Sequence, residues 1–147
     1  MRSAIVERII DPAALTTEVS ANRNGASILF LGTVRDSNDG RAVMGIEYAA
    51  YKSMAERELS AIVTEASREF GTDDIVVEHR TGVLGVGDVS VAIAVAHPHR
   101  GAAYDASRYV IEQIKKRLPI WKREHYADGT REWVDPAPHR VVAGAGR

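Results

Sequence analysis

Two long segments with helical periodicity alternate along this chain with short apolar segments, and this alternation limits the folds open to it. Residues 52–70 place apolar side chains at the spacing of one helix face: Met54, Leu59, Ile62, Val63, Ala66 and Phe70. Residues 100–117 form a second helical pattern, which should stop near Arg117 because Pro119 disfavours helical geometry at Leu118. Strands and helices interleave without a strict strand–helix–strand repeat. We therefore predict an α+β fold in which helices pack on a mixed sheet.

The remaining segments predict strands, a short helix and turns. Apolar or alternating patterns predict strands at residues 3–10, 26–34, 42–51, 75–82 and 89–97. Because segment 26–34 is nearly all apolar, we expect it to be a central strand. Asp11 could cap a short helix over residues 11–21. Residues 35–41 read as a polar loop and residues 83–88 as a glycine-bearing turn, while Asp128-Gly129 predicts a C-terminal β-hairpin.

Length and composition exclude several classes of protein. The 147 residues suit a single domain, which we place at residues 1–134, followed by a Pro/Gly/Ala-rich tail at 135–147 that we expect to be loosely ordered. A net charge of -1 argues against a general nucleic-acid-binding surface. The absence of cysteine excludes disulfides, thiolate metal sites and cysteine nucleophiles. The sequence contains no long apolar run and no signal-peptide pattern, so we expect a cytoplasmic location without membrane association.

Positive charge is concentrated in residues 114–124, "IKKRLPIWKRE", where five cations accompany one anion, Glu124. Cations in the last turn of a helix favour its dipole, and this explains Lys115 and its two neighbours as an ordinary helix end. It does not explain Lys122 and Arg123, which lie beyond Pro119. A lysine near a buried aromatic residue and other cations loses its proton more easily and can serve as a nucleophile or acid–base catalyst. This pattern favours a pocket for an anionic ligand.

Two further segments could contribute to such a pocket. The loop "HPHRG" at residues 97–101 places His99 and Arg100 at a predicted helix start, where backbone N–H groups favour anions. An ordinary surface loop with capping side chains remains an equal alternative. His97 and His99 alone are weak evidence for a metal, so we expect none. The loop after strand 26–34 supplies Arg35, and it too could be an ordinary connection.

Three segments together resemble a known family. These are "FLGTVRDSNDGRAVMGIEYAAYKSMAE", "AHPHRGAAYDAS" and "IKKRLPIWKRE". In this order and spacing, from about residue 3 to Val134, the chain resembles the large, catalytic subunit of molybdopterin synthase. The arrangement of Lys115, Pro119, Trp121 and Lys122 is the most specific part of the resemblance.

The resemblance implies an α/β-hammerhead-like fold and a homodimer that forms a heterotetramer with two copies of a small ubiquitin-like sulfur-carrier subunit. The C-terminal Gly-Gly of that subunit would carry a thiocarboxylate into a pocket of the large subunit. Its sulfur would pass to cyclic pyranopterin monophosphate, and two transfers would form the dithiolene of molybdopterin in molybdenum cofactor biosynthesis. The lack of cysteine agrees with sulfur supplied by a partner. No metal or other cofactor is implied.

The same resemblance implies the site residues. Lys115 and Lys122 correspond to the catalytic positions, although the sequence does not divide roles between them. The substrate-binding positions match Thr33, Val34, Arg35, His99, Arg100, Arg123 and Glu124, with apolar pocket walls at Phe30 and Ile111. The tail does not align, so a contact from Arg140 stays open. Two rival interpretations are a nucleotide- or RNA-binding module and a non-catalytic scaffold in which both lysines would be dispensable.

Overall fold

The computed structural model describes residues 1–134, so the tail predicted at residues 135–147, with Arg140, lies outside the described residues. The three helices of this part of the chain are α1 (Pro12–Val19), α2 (Lys52–Phe70) and α3 (Arg100–Arg117). Its strands are β1 (Arg2–Val6), β2 (Ala26–Thr33), β3 (Ser37–Asn38), β4 (Arg41–Ala50), β5 (Ile75–Arg80), β6 (Gly82–Gly85), β7 (Val89–His97), β8 (Ile120–Tyr126) and β9 (Arg131–Val134). None of the helices among residues 1–134 has the length and apolar character that crossing a membrane requires.

The strands form two sheets. The first has the order β1-β5-β7-β2, in which β1 runs parallel to β5 and the other pairs are antiparallel. The second is built on β4, which pairs antiparallel with β3, β6 and β8, while β9 pairs with β8. Helices α2 and α3 cover one face of the first sheet and α1 packs on the other. The α+β prediction is confirmed, including the mixed sheet and the C-terminal hairpin.

The helices lie where local sequence signals predict them. Helices α2 and α3 have the predicted bounds, and Leu118 after α3 has extended backbone (φ −72°, ψ 125°) because Pro119 follows it. The carboxylate of Asp11 accepts hydrogen bonds from the backbone N–H groups of Ala13 and Ala14, which caps α1. One residue of the predicted apolar stripe differs, since half of the surface of Met54 is exposed.

Strand β2 is an edge strand, so the prediction of a central strand is wrong. Its only partner among the described strands is β7. Side chains alternate along it: Phe30 packs against the core under the helices, whereas Leu29 and Leu31 on the other face are exposed. Apolar content alone therefore suggested, wrongly, a strand buried on both faces.

The two predicted loops also contain strands. Residues 35–41 form a hairpin of β3 and β4 whose turn holds Asp39 and Gly40 at φ 49° and 77°. Positive φ at both central residues matches the twist of a tight hairpin, which explains a glycine there. Residues 83–88 contain most of β6, which pairs with β4.

The main core lies between the first sheet and helices α2 and α3. Leu59 and Ile62 of α2, Ile93 of β7 and Val110 of α3 are fully buried there. Each such side chain contributes about 1.5–3 kcal/mol by leaving water. Leu118 and Ile120 belong to the same core cluster, so the chain is held tightly on both sides of Pro119. This packing fixes the end of α3 against the start of β8.

An ion-pair cluster on the outer side joins the two long helices. Arg117 donates hydrogen bonds of 2.6 Å to Glu58 and 2.6 Å to Glu65, and the Tyr109 hydroxyl donates to Glu65 at 2.6 Å. The hydrogen bond from Arg117, followed by that from Tyr109, lowers the pKa of Glu65 to about 2. Arg117 thus forms a structural contact between α2 and α3.

We expect Glu65→Gln to destabilise the fold at pH 7 by less than about 1 kcal/mol, because the pair is partly exposed and screened by solvent. The folded-state pKa is depressed, so this stabilisation is complete above the unfolded pKa of 4.5 and is lost as pH falls towards about 2. Urea unfolding at pH 7 and pH 3 would measure it, with exposed Glu69→Gln as the control. An equal deficit for Glu65→Gln at both values would contradict the assignment.

Candidate active site

A pocket of about 250 Å³ lies where the first sheet, the second sheet and the end of α3 meet. Its wall combines apolar side chains of the core with polar and charged side chains from both sheets, from α3 and from the loop after β2. The predicted site residues that line it are Phe30, Thr33, Arg35, Ile111, Lys115, Lys122 and Glu124. The fold thus brings together residues that are up to about ninety positions apart in the chain.

Three cations converge on this pocket. Lys115 comes from the last turn of α3, Lys122 from β8, and Arg35 from the loop after β2. The turn at Pro119 reverses the chain so that the first two face the same space. Since overall charge is near neutral, this is a local concentration of positive charge suited to an anion.

Lys122 has a carboxylate partner in the pocket. Its Nζ lies 3.4 Å from Oε1 of Glu124, whose side chain is 3% exposed. Side chains alternate across a strand, and therefore residues 122 and 124 of β8 share the face that points into the pocket. Glu124 is the carboxylate among the described residues that line the pocket, and it holds the Lys122 ammonium in place.

Lys115 lies at the pocket in a different electrostatic setting. Its surface remains accessible because it borders an open space. Even so, the surrounding walls remove water from the ammonium group, and this lowers its pKa, with Lys122 and Arg35 adding to the effect through charge repulsion. No carboxylate of residues 1–134 forms an ion pair with it. The side chain is therefore the cation of the pocket that gives up its proton more readily.

Glycine at position 32 allows the strand β2 to pass close to β7 at the pocket wall. A Cβ atom there would lie 2.6 Å from Cγ1 of Val91, well inside van der Waals contact. The register of β2 with β7 shifts between Gly32 and Thr33, and this irregularity ends the strand. The chain then turns so that Arg35 reaches the pocket.

Two predicted site residues next to these lie elsewhere. Val34 is buried in the small core of the second sheet, and its N–H donates to the carbonyl of Asp88 at 3.0 Å, which anchors the loop that carries Arg35. Arg123 lies on the opposite face of β8 from Lys122. Its guanidinium group donates to Glu47 and stacks 4.9 Å from the ring centroid of Trp133.

His99 and Arg100 lie at the far end of α3, apart from the pocket. They line a shallow groove with Gly25, Pro98 and Gly101 at the start of the helix, and both are exposed. The neighbouring His97 is engaged within the protein: one ring nitrogen bonds to the carbonyl of Phe70 at 2.9 Å and the other accepts from the N–H of His99 at 2.9 Å. Residues 1–134 hold no group of three His, Asp or Glu side chains arranged for a metal ion.

Among the polar pocket residues that were not predicted from the sequence are Tyr48, His79 and Ser90. His79 and Ser90 lie in strands of the first sheet and Tyr48 in β4 of the second, and the three meet only through the packing of the sheets. A signal was present, since "EH" interrupts an otherwise apolar strand at residues 75–80. A polar pair inside a buried strand marks a position that needs a specific partner.

Comparisons with known proteins give matches over most of the chain. The model of the family described as "MoaE protein" matches residues 5–117. The molybdopterin synthase catalytic subunit of Thermoplasma volcanium is 40% identical over 88% of this chain and 94% of that protein. The protein of the same name from Emericella nidulans is 40% identical over 84% of this chain, which spans only 64% of the length of that relative.

Solved structures have the same fold. The crystal structure of molybdopterin synthase from Staphylococcus aureus is 36% identical, with a TM-score of 0.84 over 89% of this chain and 95% of that one. A protein–protein complex of subunits 1 and 2 of the molybdopterin-converting factor from Helicobacter pylori matches with a TM-score of 0.71 over 98% of this chain and 97% of that one. Its 22% identity supports the fold alone.

Proposed function

This chain belongs to the MoaE protein family, and from that premise we propose that it is the catalytic subunit of a molybdopterin synthase. In this proposal it transfers sulfur from the C-terminal thiocarboxylate of a small ubiquitin-like subunit to cyclic pyranopterin monophosphate. The product is the dithiolene of molybdopterin, made in the cytoplasm as a step of molybdenum cofactor biosynthesis.

The observation that carries the proposal is the convergence of Arg35, Lys115 and Lys122 on one pocket. The pterin carries a cyclic phosphate and the sulfur donor ends in a thiocarboxylate, so both ligands are anions. A single site for both ligands needs several cations in one place. Among the described residues that line the pocket, three cations outnumber one carboxylate, Glu124. Oriented cations of this kind also stabilise charge that develops on acyl and phosphate oxygens during transfer.

The different settings of the two lysines support different roles. Nζ of Lys122 lies 3.4 Å from the carboxylate of Glu124, which holds the side chain in place and suits it to anchor an anion. Lys115 has the lowered pKa, so a larger fraction of its amine is uncharged near neutral pH. We assign proton transfer or nucleophilic attack to Lys115 and charge stabilisation to Lys122.

The remote position of His99 and Arg100 supports a site shared between two copies of the chain. These residues lie at the start of α3 and Lys115 lies near its end. At 1.5 Å per residue, the span from Arg100 to Lys115 is roughly 22 Å, too long for one small substrate to contact both. A two-fold dimer could place the helix start of one subunit beside the pocket of its mate. We propose this homodimer, with one small subunit bound to each chain.

We expect deletion of the last two glycines of the small subunit to abolish sulfur transfer and to weaken the complex. A tail that reaches Lys115 and Lys122 must enter a pocket of only about 250 Å³, which glycine can do without a side-chain clash. Calorimetry and product formation with the full-length and truncated partner would measure both effects. A truncated partner that supports full turnover would exclude insertion of the tail.

The test of the proposed function is synthesis in vitro from purified components. The chain, the thiocarboxylated small subunit and cyclic pyranopterin monophosphate are combined, and formation of the dithiolene is followed. We expect product only when all three are present. A complex that binds the small subunit but makes no product, with or without the lysines, would favour the scaffold interpretation instead.

A further inference from the structure

The pocket contains a histidine to which the proposed binding of anions and transfer of sulfur assign no role. His79 lies on β5, is 7% exposed and lines the pocket. The ring of Tyr48 packs edge-on against it, with centroids 5.4 Å apart and an angle of 76° between the planes. These contacts hold the imidazole in one orientation, as a site for specific recognition requires.

A backbone hydrogen bond fixes the tautomer of His79. Its Nδ1 lies 3.0 Å from the carbonyl oxygen of Arg80. A carbonyl oxygen can only accept, so Nδ1 carries the hydrogen and the neutral ring has a lone pair at Nε2. Burial lowers the pKa of His79 to about 4. The hydrogen bond to the carbonyl of Arg80 opposes this shift, and the positive charge of Lys115 adds to it. Near pH 7 the lone pair of Nε2 is therefore free of a proton.

This acceptor has no donor within the described protein. No side chain or backbone N–H of residues 1–134 forms a hydrogen bond to Nε2 of His79. Of its polar neighbours in the pocket, the Ser90 hydroxyl donates instead to the carbonyl of Gly32 at 3.2 Å. An acceptor that has no protein partner and opens on a pocket wall is a position for a donor on the ligand.

We propose that Nε2 of His79 accepts a hydrogen bond from the N–H at position 5 or 8 of the pterin ring, and that the fixed tautomer makes the pocket selective for the reduced ring. This inference rests on the pterin substrate of the proposed function and identifies the protein atom that recognises its ring. A tetrahydropterin carries N–H donors at ring positions 5 and 8, whereas the fully oxidised ring carries lone pairs there. The oxidised ring would place a lone pair against the lone pair of Nε2.

The histidine cannot adapt to the oxidised ring at low cost. Moving its hydrogen to Nε2 would leave Nδ1 with a lone pair facing the carbonyl of Arg80 in a buried place. The protonated cations of the pocket cannot accept the ring N–H in place of His79, because an ammonium or guanidinium group has donors only. Arg35, Lys115 and Lys122 thus select the anionic groups of the ligands, and His79 selects the redox state of the ring. A site built to bind a substrate N–H rejects an analogue that lacks it far better than an apolar pocket would.

The wild-type chain alone provides the first test. Binding of a phosphate-free tetrahydropterin and of the matching fully oxidised pterin is measured by calorimetry without oxygen. We expect the reduced ring to bind at least about tenfold more tightly. Equal affinity for the two rings would overturn the proposal, and no variant needs to fold for this result.

A matched pair of variants tests the residue. His79→Asn can keep an N–H near the carbonyl of Arg80 but lacks an acceptor at the place of Nε2, whereas His79→Gln can present its amide oxygen there. We expect His79→Asn to lose the preference for the reduced ring and His79→Gln to keep part of it. Lys116→Ala, an exposed change outside the pocket, should bind both rings as wild type does.

Binding of inorganic phosphate separates recognition of the ring from general damage. We expect phosphate affinity in His79→Asn to stay within about twofold of wild type, because the cations remain in place. Loss of ring and phosphate binding together would indicate a structural role and overturn the proposal. If ring selectivity is found but no sulfur transfer occurs, the proposed function fails while the ring-binding role stands. If sulfur transfer occurs without ring selectivity, the proposed function stands and the ring-binding role of His79 fails.

Discussion

Replacement of Lys115 with alanine is expected to reduce the rate of sulfur transfer by at least about 100-fold, the range that a positioned acid–base group supplies. Lys115 is the pocket cation whose pKa is lowered by loss of water and by repulsion from Lys122 and Arg35. Removing the amine removes the group best able to exchange a proton or attack the donor at neutral pH. Single-turnover rates with the thiocarboxylated small subunit would measure the loss, and Lys122→Ala should also be severe.

Lys116→Ala is the matched control for that prediction. It changes the next residue of the same helix by the same chemical step, but a helix turns about 100° per residue, so Lys116 points away from the pocket. We expect its rate to stay within about threefold of wild type, as for an exposed substitution. Calorimetric titration must show that the Lys115→Ala chain still binds the small subunit. Near-normal turnover by that chain would remove Lys115 from the chemistry.

Local signals predict the helices of this protein well because the cause of each boundary lies within a few residues. The bounds of α3 follow from helical spacing and from the restriction that Pro119 places on Leu118, and both can be read without knowing the fold. The same holds for the hairpin of β8 and β9, whose turn contains Asp128 and Gly129.

The order of strands in a sheet depends on contacts between residues distant in the chain, so the local sequence pattern does not predict it. The apolar composition of β2 suggested a central strand, yet it lies at an edge with Leu29 and Leu31 exposed. His79 was missed for a similar reason. Its partners in the pocket, Tyr48 and Lys115, come from other parts of the chain and reach it only through packing of the two sheets and α3.

Residues 114–124 contain cations that line the pocket and cations that lie outside it. Concentrated charge around Pro119 correctly indicated a pocket, because the turn there brings Lys115 and Lys122 to the same space. Charge alone did not show which of the neighbouring cations lie outside the pocket. Arg117 bonds to glutamates of α2, and Arg123 bonds to Glu47 on the other face of β8. Since side chains alternate along a strand, the strand period by itself is enough to place residue 123 on the opposite face from residue 122.

Subunit complementation should decide whether the active site is shared between two chains. A chain with Arg100→Ala and a chain with Lys115→Ala are each expected to be inactive alone. In a mixed dimer of the proposed arrangement, one pocket lacks both residues, while the other combines Lys115 of the first chain with Arg100 of the second and is intact. Activity should therefore return to about half of the wild-type value per mixed dimer. Turnover after exchange of differently tagged chains and isolation of mixed dimers would measure it.

The geometry of α3 makes the complementation result decisive. Within one chain, roughly 22 Å of helix separates Arg100 from Lys115, and the shallow groove of His99 and Arg100 is distinct from the pocket. If both ends of the helix serve one substrate, they must belong to different subunits, and the two defects can then be segregated into one pocket. If both act within one chain, every pocket of a mixed dimer carries one defect. Isolated mixed dimers without activity would therefore exclude the shared site, even if each residue is essential.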